Sequence, residues 1–221
     1  MSLSERDKLL LGCLMYTTVS VKNEGNTLED ALNTYVDKKT GKVTAETLKK
    51  YNVNPSGGIS HAEMADVMNE MRESDSLMNL RIDKSTPESE GSIRATCFVD
   101  KDSGKATVAF RGTGGSYNQW TQNFEAFGEI ATESQQKAVD YIYSLPYDNI
   151  DVTGHSNGGG YSMYVTIVCG DKIDNCLSFE GQGVSKEFIL KYKDQIAKNK
   201  KKITNISADN DIVNTLIFDI A

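Results

Sequence analysis

The stretch "VTGHSNGGGYSMY", residues 152–164, sets one serine among glycines, directly after a run that reads as a β-strand and directly before one that reads as an α-helix. Gly154-His155-Ser156-Asn157-Gly158 satisfies the pattern G-x-S-x-G, and both flanks fit it: "IDVT" predicts a strand and Gly158 to Val168 a helix. A turn this sharp forces the serine into a strained backbone, and side chains on either side of it would strike neighbouring main chain. Gly154 and Gly158 supply the clearance. The strain lifts the Ser156 hydroxyl off the sheet, beside the amides and the positive dipole end of the next helix. The competing reading is a glycine-rich turn for packing or phosphate binding. Against it, the loop lacks both the lysine of a P-loop and the G-x-G-x-x-G spacing of a dinucleotide fold.

Outward from this turn the pattern alternates. Ser134 to Leu145 is predicted as a helix that Pro146 stops, "NIDVTG" as a strand, "CLSFEG" as a strand, Lys186 to Ala197 as a helix and "KITNISA" as a strand. Strand, helix, strand, helix, strand implies a mostly parallel sheet with helices on both faces, an α/β fold. Ahead of it, "ATCFVD" and "KATVAF" around the turn Lys101 to Gly104 predict an antiparallel hairpin. Residues 1–90 read as mainly helical: Asp7 to Tyr16, Leu28 to Val36, and a helix opening at Ser60, where Ser60 and Glu63 make a capping box. In that last helix Met64, Val67, Met68 and Met71 share a side and read as core. Residues 37–46 have lysines where a calcium loop needs oxygen ligands, and read as a turn. The polar segment 74–92, holding Pro87 and Gly91, reads as the joint between the helical part and the sheet. The expectation is one domain over 1–221, with the core at 91–221.

Composition narrows the function. A net charge of −7 and a pI near 5.0 leave no clustered cation for a nucleic-acid backbone. The lysines of 191–202 spread around a helix and read as a solvated face. Four cysteines without a CxxC pair and two histidines make no zinc ligand set, so buried free thiols are expected. The short apolar run Leu9 to Leu11 is neither a signal peptide nor a membrane span, which makes the expected location cytoplasmic and leaves no integral membrane segment.

A serine hydroxyl is a weak nucleophile unaided and needs oxyanion donors, a base and an acid that orients the base. "AFRGTGG", residues 109–115, ends a strand in a turn whose backbone and Thr113 hydroxyl can face a reacting carbonyl oxygen alongside the Asn157 amide. His155 adjoins Ser156, but neighbours on an extended segment point opposite ways, so it is expected to pack or hydrogen-bond beneath the turn.

"VAFRGT", then Trp120, then "VTGHSNGG" together resemble the class 3 lipase family of α/β-hydrolases. "FEGQGVSKEFI" and the opening "DKLLLGCLMYT" are closer still to a bacterial branch of lipase-like proteins. The likeness covers residues 7–16 and about 95–217. It implies an α/β-hydrolase-like fold with Ser156 as nucleophile on a nucleophile elbow, Thr113 and Asn157 as oxyanion donors, and Arg111, Gly112, Gly154, His155 and Gly158 in support. "ISADNDIVN" matches the family's acid segment with Asp211, and Asp209 is the fallback. The implied substrate is an acyl ester, with lipids favoured, and no metal or organic cofactor is needed. Trp120, Phe124 and Phe127 read as core aromatics or as a mobile lid.

In this fold the triad runs Ser, Asp, His. Ten residues follow Asp211 and none is histidine. His61 would require an unusual order and reads instead as a surface or packed helix residue. The expectation is therefore that the C-terminal end of the fold is missing and the histidine lies beyond residue 221. The alternatives are a degenerate hydrolase fold that binds without turnover, and a base given by another chain.

Overall fold

The computed structural model describes residues 3–86, 93–112, 133–181 and 183–207. Its frame is one six-stranded sheet: β1 (Leu80–Ser85), β2 (Ala95–Asp100), β3 (Ala106–Phe110), β4 (Ile150–His155), β5 (Ile173–Phe179) and β6 (Ile203–Ile206), side by side in chain order. β1, β2 and β3 pair antiparallel, and β3 to β6 pair parallel. The predicted hairpin is present, with Ala95 opposite Phe110 and Val99 opposite Ala106. The sheet is thus mostly parallel, as expected.

Strand order decides where the helices go. Parallel strands laid down side by side in one direction, joined by right-handed crossovers, put every connecting helix on the same face. Accordingly α7 (Glu133–Tyr143), α8 (Asn157–Val168), α9 (Lys186–Lys191) and α10 (Lys193–Asn199) share one apolar core with Ala95, Cys97 and Val99 of β2, Val108 and Phe110 of β3, and Val152 of β4. The other face would be bare without the N-terminal part. It is covered by α1 (Glu5–Leu14), α2 (Val19–Lys22), α3 (Leu28–Asn33), α4 (Ala45–Lys50), α5 (His61–Arg72) and α6 (Asp75–Met78), whose core takes in Leu80, Ile82, Phe98 and Ala109. Helices therefore do lie on both faces, and of residues 20–90, which the family likeness left mostly unexplained, the helices up to Met78 close the second layer.

These helices are locally encoded. Ser4, Thr27, Thr44, Ser60, Ser74 and Ser185 each stand at an N-cap with the side-chain hydroxyl accepting a backbone N–H of the first turn. The Ser60–Glu63 capping box is present, and Met64, Met68 and Met71 are fully buried. Asp37 Oδ1 accepts from the amides of Lys39 and Thr40, closing the expected turn. All four thiols are free; Cys97, Cys169 and Cys176 are buried and Cys13 half-buried.

Three expectations need correcting. The joint at 74–92 holds structure: Asp75–Met78 is a helix turn and Leu80–Ser85 is an edge strand, whose Leu80 and Ile82 join the N-terminal core while Arg81 pairs with Asp83 and reaches Tyr147 Oη. Lys186 to Ala197 is two helices, broken at Tyr192 (φ −105°, ψ 24°). Lys202 is not on a solvated face, because its ammonium donates to the carbonyls of Gly170 (2.6 Å) and Ile173 (2.7 Å).

Candidate active site

β4 runs buried from Ile150 to Gly154 and ends at the half-buried pair His155 and Ser156. Ser156 then takes φ 57° and ψ −125°, outside every region an L-residue adopts without cost, before α8 begins at Asn157. Such a backbone costs on the order of 1–3 kcal/mol and persists only where its surroundings fix it. Two hydrogen bonds do so here: Ser156 N donates to Phe179 O (2.8 Å) and Ser156 O accepts from Gly160 N (3.0 Å). Unlike the six capping hydroxyls above, Ser156 Oγ makes no cap bond to the helix it precedes. The hydroxyl is held out of routine capping, beside the first turn of an apolar, buried helix.

The glycines account for the tightness of the turn. A Cβ on Gly154 would fall 2.4 Å from the main chain of Gly158, and one on Gly158 would fall 2.3 Å from Phe110 O and 2.8 Å from Arg111 C. Gly158 therefore brings the start of α8 against the end of β3, and Arg111 and Gly112 come to the serine with it. Arg111 N donates to Arg94 O (2.9 Å), which ties the strand end back to its neighbour. Asn157 is buried, and its side-chain amide reaches Tyr161 Oη (3.5 Å).

Of the residues expected at the site, Ser156, Asn157, Gly154, Gly158, His155, Arg111 and Gly112 are brought together. Thr113, Asp209, Asp211, Trp120, Phe124 and Phe127 lie outside the described residues. The described chain does reach the serine's end of the sheet: β6 ends at Ile206, paired with the same Phe179 that accepts from Ser156 N. His61 opens α5 on the N-terminal layer, and its Nε2 is buried without a hydrogen-bond partner among the described residues.

Sequence reasoning missed two residues, Tyr16 and Glu180. His155 has the strand parity of Asp151 and Thr153, so it faces the N-terminal layer, away from Ser156, as the alternation predicts. There its Nδ1 meets Tyr16 Oη at 2.8 Å and its Nε2 meets Glu180 Oε2 at 3.1 Å. Burial, above all, pushes the Tyr16 phenol up to about 12, so it keeps its proton at neutral pH. Glu180 Oε2 accepts from the imidazole while its own backbone stands at φ 49°. Tyr16 and Glu180 lie in the quoted segments "DKLLLGCLMYT" and "FEGQGVSKEFI", but nothing in either shows that it meets His155.

A cavity of about 560 Å³ opens at the opposite end of the strands, lined by Lys8, Lys105, Asp151 and Asp174 among others. These four charges pair with one another, Lys8 to Asp151 at 2.9 Å and Lys105 to Asp151 and Asp174 at 3.0 and 2.6 Å. The strained serine, not this cavity, marks the candidate site.

Residues 69–220, which include Ser156 and both ends of its turn, match the Mbeg1-like family model. The chain belongs to the Mbeg1-like family. No curated protein sequence matches it. Among solved structures, this Mbeg1-like chain is similar to the Rhizomucor miehei lipase propeptide complex, at 14% identity and TM-score 0.48 over 96% of this chain and 62% of that one. It is also similar to the Lip2 lipase of Yarrowia lipolytica, at 17% identity and TM-score 0.44 over 64% of this chain and 62% of that one. A fungal lipase–inhibitor complex, solved as a model for interfacial activation, shows 14% identity and TM-score 0.49 over 96% and 72%. The chain thus spans about three fifths of the length of the first two lipases. Among the described residues of this Mbeg1-like protein, no helix is long and apolar enough to cross a membrane.

Proposed function

We propose that this chain carries the nucleophile of a serine hydrolase that cleaves acyl esters. Ser156 Oγ attacks the ester carbonyl carbon while a histidine base takes its proton. The carbonyl oxygen, now an oxyanion, is held by the Asn157 amide and by Thr113, with Asp211, or Asp209 in its place, orienting the base. Collapse breaks the C–O bond of the ester, the leaving alcohol takes the proton, and water repeats the sequence to release the acid. Gly154 and Gly158 keep the turn tight, and Arg111 and Gly112 carry the oxyanion loop to it. Lipid esters are the favoured substrate class through the family likeness.

The observation that carries this reading is the backbone of Ser156, φ 57° and ψ −125°, at a strand-to-helix turn with its hydroxyl free of capping. The low-identity lipase neighbours add no weight to it. The test is labelling by a fluorophosphonate, in which Oγ displaces fluoride from phosphorus. Stoichiometric labelling that disappears in Ser156→Ala supports the hydrolase. A longer parent chain that carries the histidine, folds and stays unlabelled at Ser156 supports instead a non-catalytic binding domain on the same fold.

A further inference from the structure

Three strand ends meet at Tyr16, a residue just past the C-terminus of α1. Its phenol reaches the ring of His155 at the end of β4, and that ring reaches Glu180 at the end of β5. The two rings pack edge-on, 5.9 Å between centroids and 65° between planes. At the end of β3 the contact is steric: a Cβ on Gly112 would fall 2.2 Å from Tyr16 Oη and 2.6 Å from His155 O. Gly112, one residue before Thr113, is therefore wedged between the phenol and the backbone of the residue that precedes Ser156. Tyr16 is itself anchored, since its carbonyl accepts from Ser56 N (2.9 Å) and Ser56 Oγ (3.1 Å), and its ring leaves no room for a Cβ on Gly57.

A carboxylate oxygen accepts, so Nε2 of His155 carries the hydrogen toward Glu180, and Nδ1 and the Tyr16 phenol share the second hydrogen bond. Both ring nitrogens are occupied, which leaves the imidazole no free edge for Ser156. Glu180 shares the serine's peculiarity, a positive φ on a residue with a side chain, one peptide beyond the Phe179 carbonyl that holds Ser156 N. Two strained backbones side by side, each with a cost, need something that fixes both.

We propose that Tyr16, His155 and Glu180 form a positioning network that sets the distance between Gly112, at the end of β3, and the backbone that carries Ser156, and so how the serine hydroxyl meets the reacting carbonyl. The network acts through Ser156 and touches no substrate. It rests on the serine hydrolase reading. It adds that the N-terminal helical layer is part of the catalytic apparatus, because Tyr16 comes from that layer.

The test measures fluorophosphonate labelling of the full chain, resolved into the maximal rate and the half-saturating reagent concentration. The variants are Tyr16→Phe, Glu180→Gln and the double variant, with His155→Gln, which keeps a donor toward Glu180 and removes the ring nitrogen that meets Tyr16. A loop misplaced by about 1 Å can cost roughly 100-fold in rate, so each single variant is expected to lose on the order of ten- to a hundredfold in maximal rate. Half-saturation should stay put. The double variant should lose about as much as the worse single one, since each breaks the same chain. His155→Gln should keep the rate of Tyr16→Phe. Tyr16→Phe removes one oxygen and Glu180 is partly exposed, so both variants report even where a change at His155 unfolds the protein. Melting curves show that they are folded. Folded variants that label at the wild-type maximal rate, or a double variant whose losses multiply, would overturn the network. Wild-type protein that does not label at Ser156, even as a longer parent chain carrying the histidine, overturns the hydrolase reading itself, which is a separate outcome.

Discussion

Replacing Gly158 by alanine tests the geometry on which the site depends. The added methyl would sit 2.3 Å from Phe110 O and 2.8 Å from Arg111 C, where ordinary contact begins at 3.4 Å. The shortfall against the carbonyl oxygen is about 1 Å, and both obstacles are main chain, so no rotamer change relieves it. Either the start of α8 or the end of β3 must move by that amount. Overpacking of this kind costs roughly 1–3 kcal/mol, offset by at most about 1 kcal/mol from alanine's better helix propensity. For a chain of this size the melting temperature should fall by a few degrees, at roughly 2–4 °C per kcal/mol. The serine chemistry should suffer more than the stability, because a displacement of about 1 Å between nucleophile and oxyanion donors costs about 100-fold. Scanning calorimetry and fluorophosphonate labelling of the same preparation read the two effects. Gly12→Ala is the control: it lies inside α1, and its Cβ would find only His155 N, at 3.9 Å. That variant should melt at or above the wild type and label normally. If Gly158→Ala behaves like Gly12→Ala, β3 does not approach the serine turn as described and the reasoning fails.

Two further outcomes follow from the opposite end of the sheet. Lys8→Met strands the buried Asp151 carboxylate, whose bond to Lys8 is 2.9 Å with both side chains under a tenth exposed. Breaking such a pair costs about 3–5 kcal/mol, and the low end is expected because Lys105 remains on the other oxygen. Urea unfolding measures it, and no loss would mean that the pair is not buried in solution. Asp100 accepts from the Ser103 hydroxyl and amide, both at 2.7 Å, and from Asn79, which hold its carboxyl down to about 2. A folded value below the unfolded one stabilises the protein above the unfolded value of about 4 and is lost as pH falls toward about 2. The gap in urea midpoint between wild type and Asp100→Asn should therefore be open at pH 7 and closed near pH 2. A gap independent of pH would refute this account.

The strand, serine and helix of residues 150–168 were legible because each signal there is local: the apolar run, the two glycines, and the apolar helix that follows. The hairpin and the capped helices were legible for the same reason. β1 was missed because Leu80 and Ile82 alternate with Arg81 and Asp83 and look like polar linker until the core they face is known. The break at Tyr192 was missed because neither proline nor glycine marks it; the tyrosine packs edge-on against Tyr164, with ring centroids 6.3 Å apart. Of the candidate site, the sequence named Ser156 and its glycines but not Tyr16 or Glu180.

By itself, then, the sequence determined the α/β alternation and the strained serine, because strand period, helix period and glycine clearance act over a few residues. Only the tertiary structure decided what lies beneath that serine. Because the strands run in chain order, every crossover helix falls on one face and the other needs a cover. The N-terminal helices provide it, and in doing so they bring Tyr16 to His155 across 139 positions of chain. A contact of that span has no period or motif, since nothing short of the closed sheet puts its partners together.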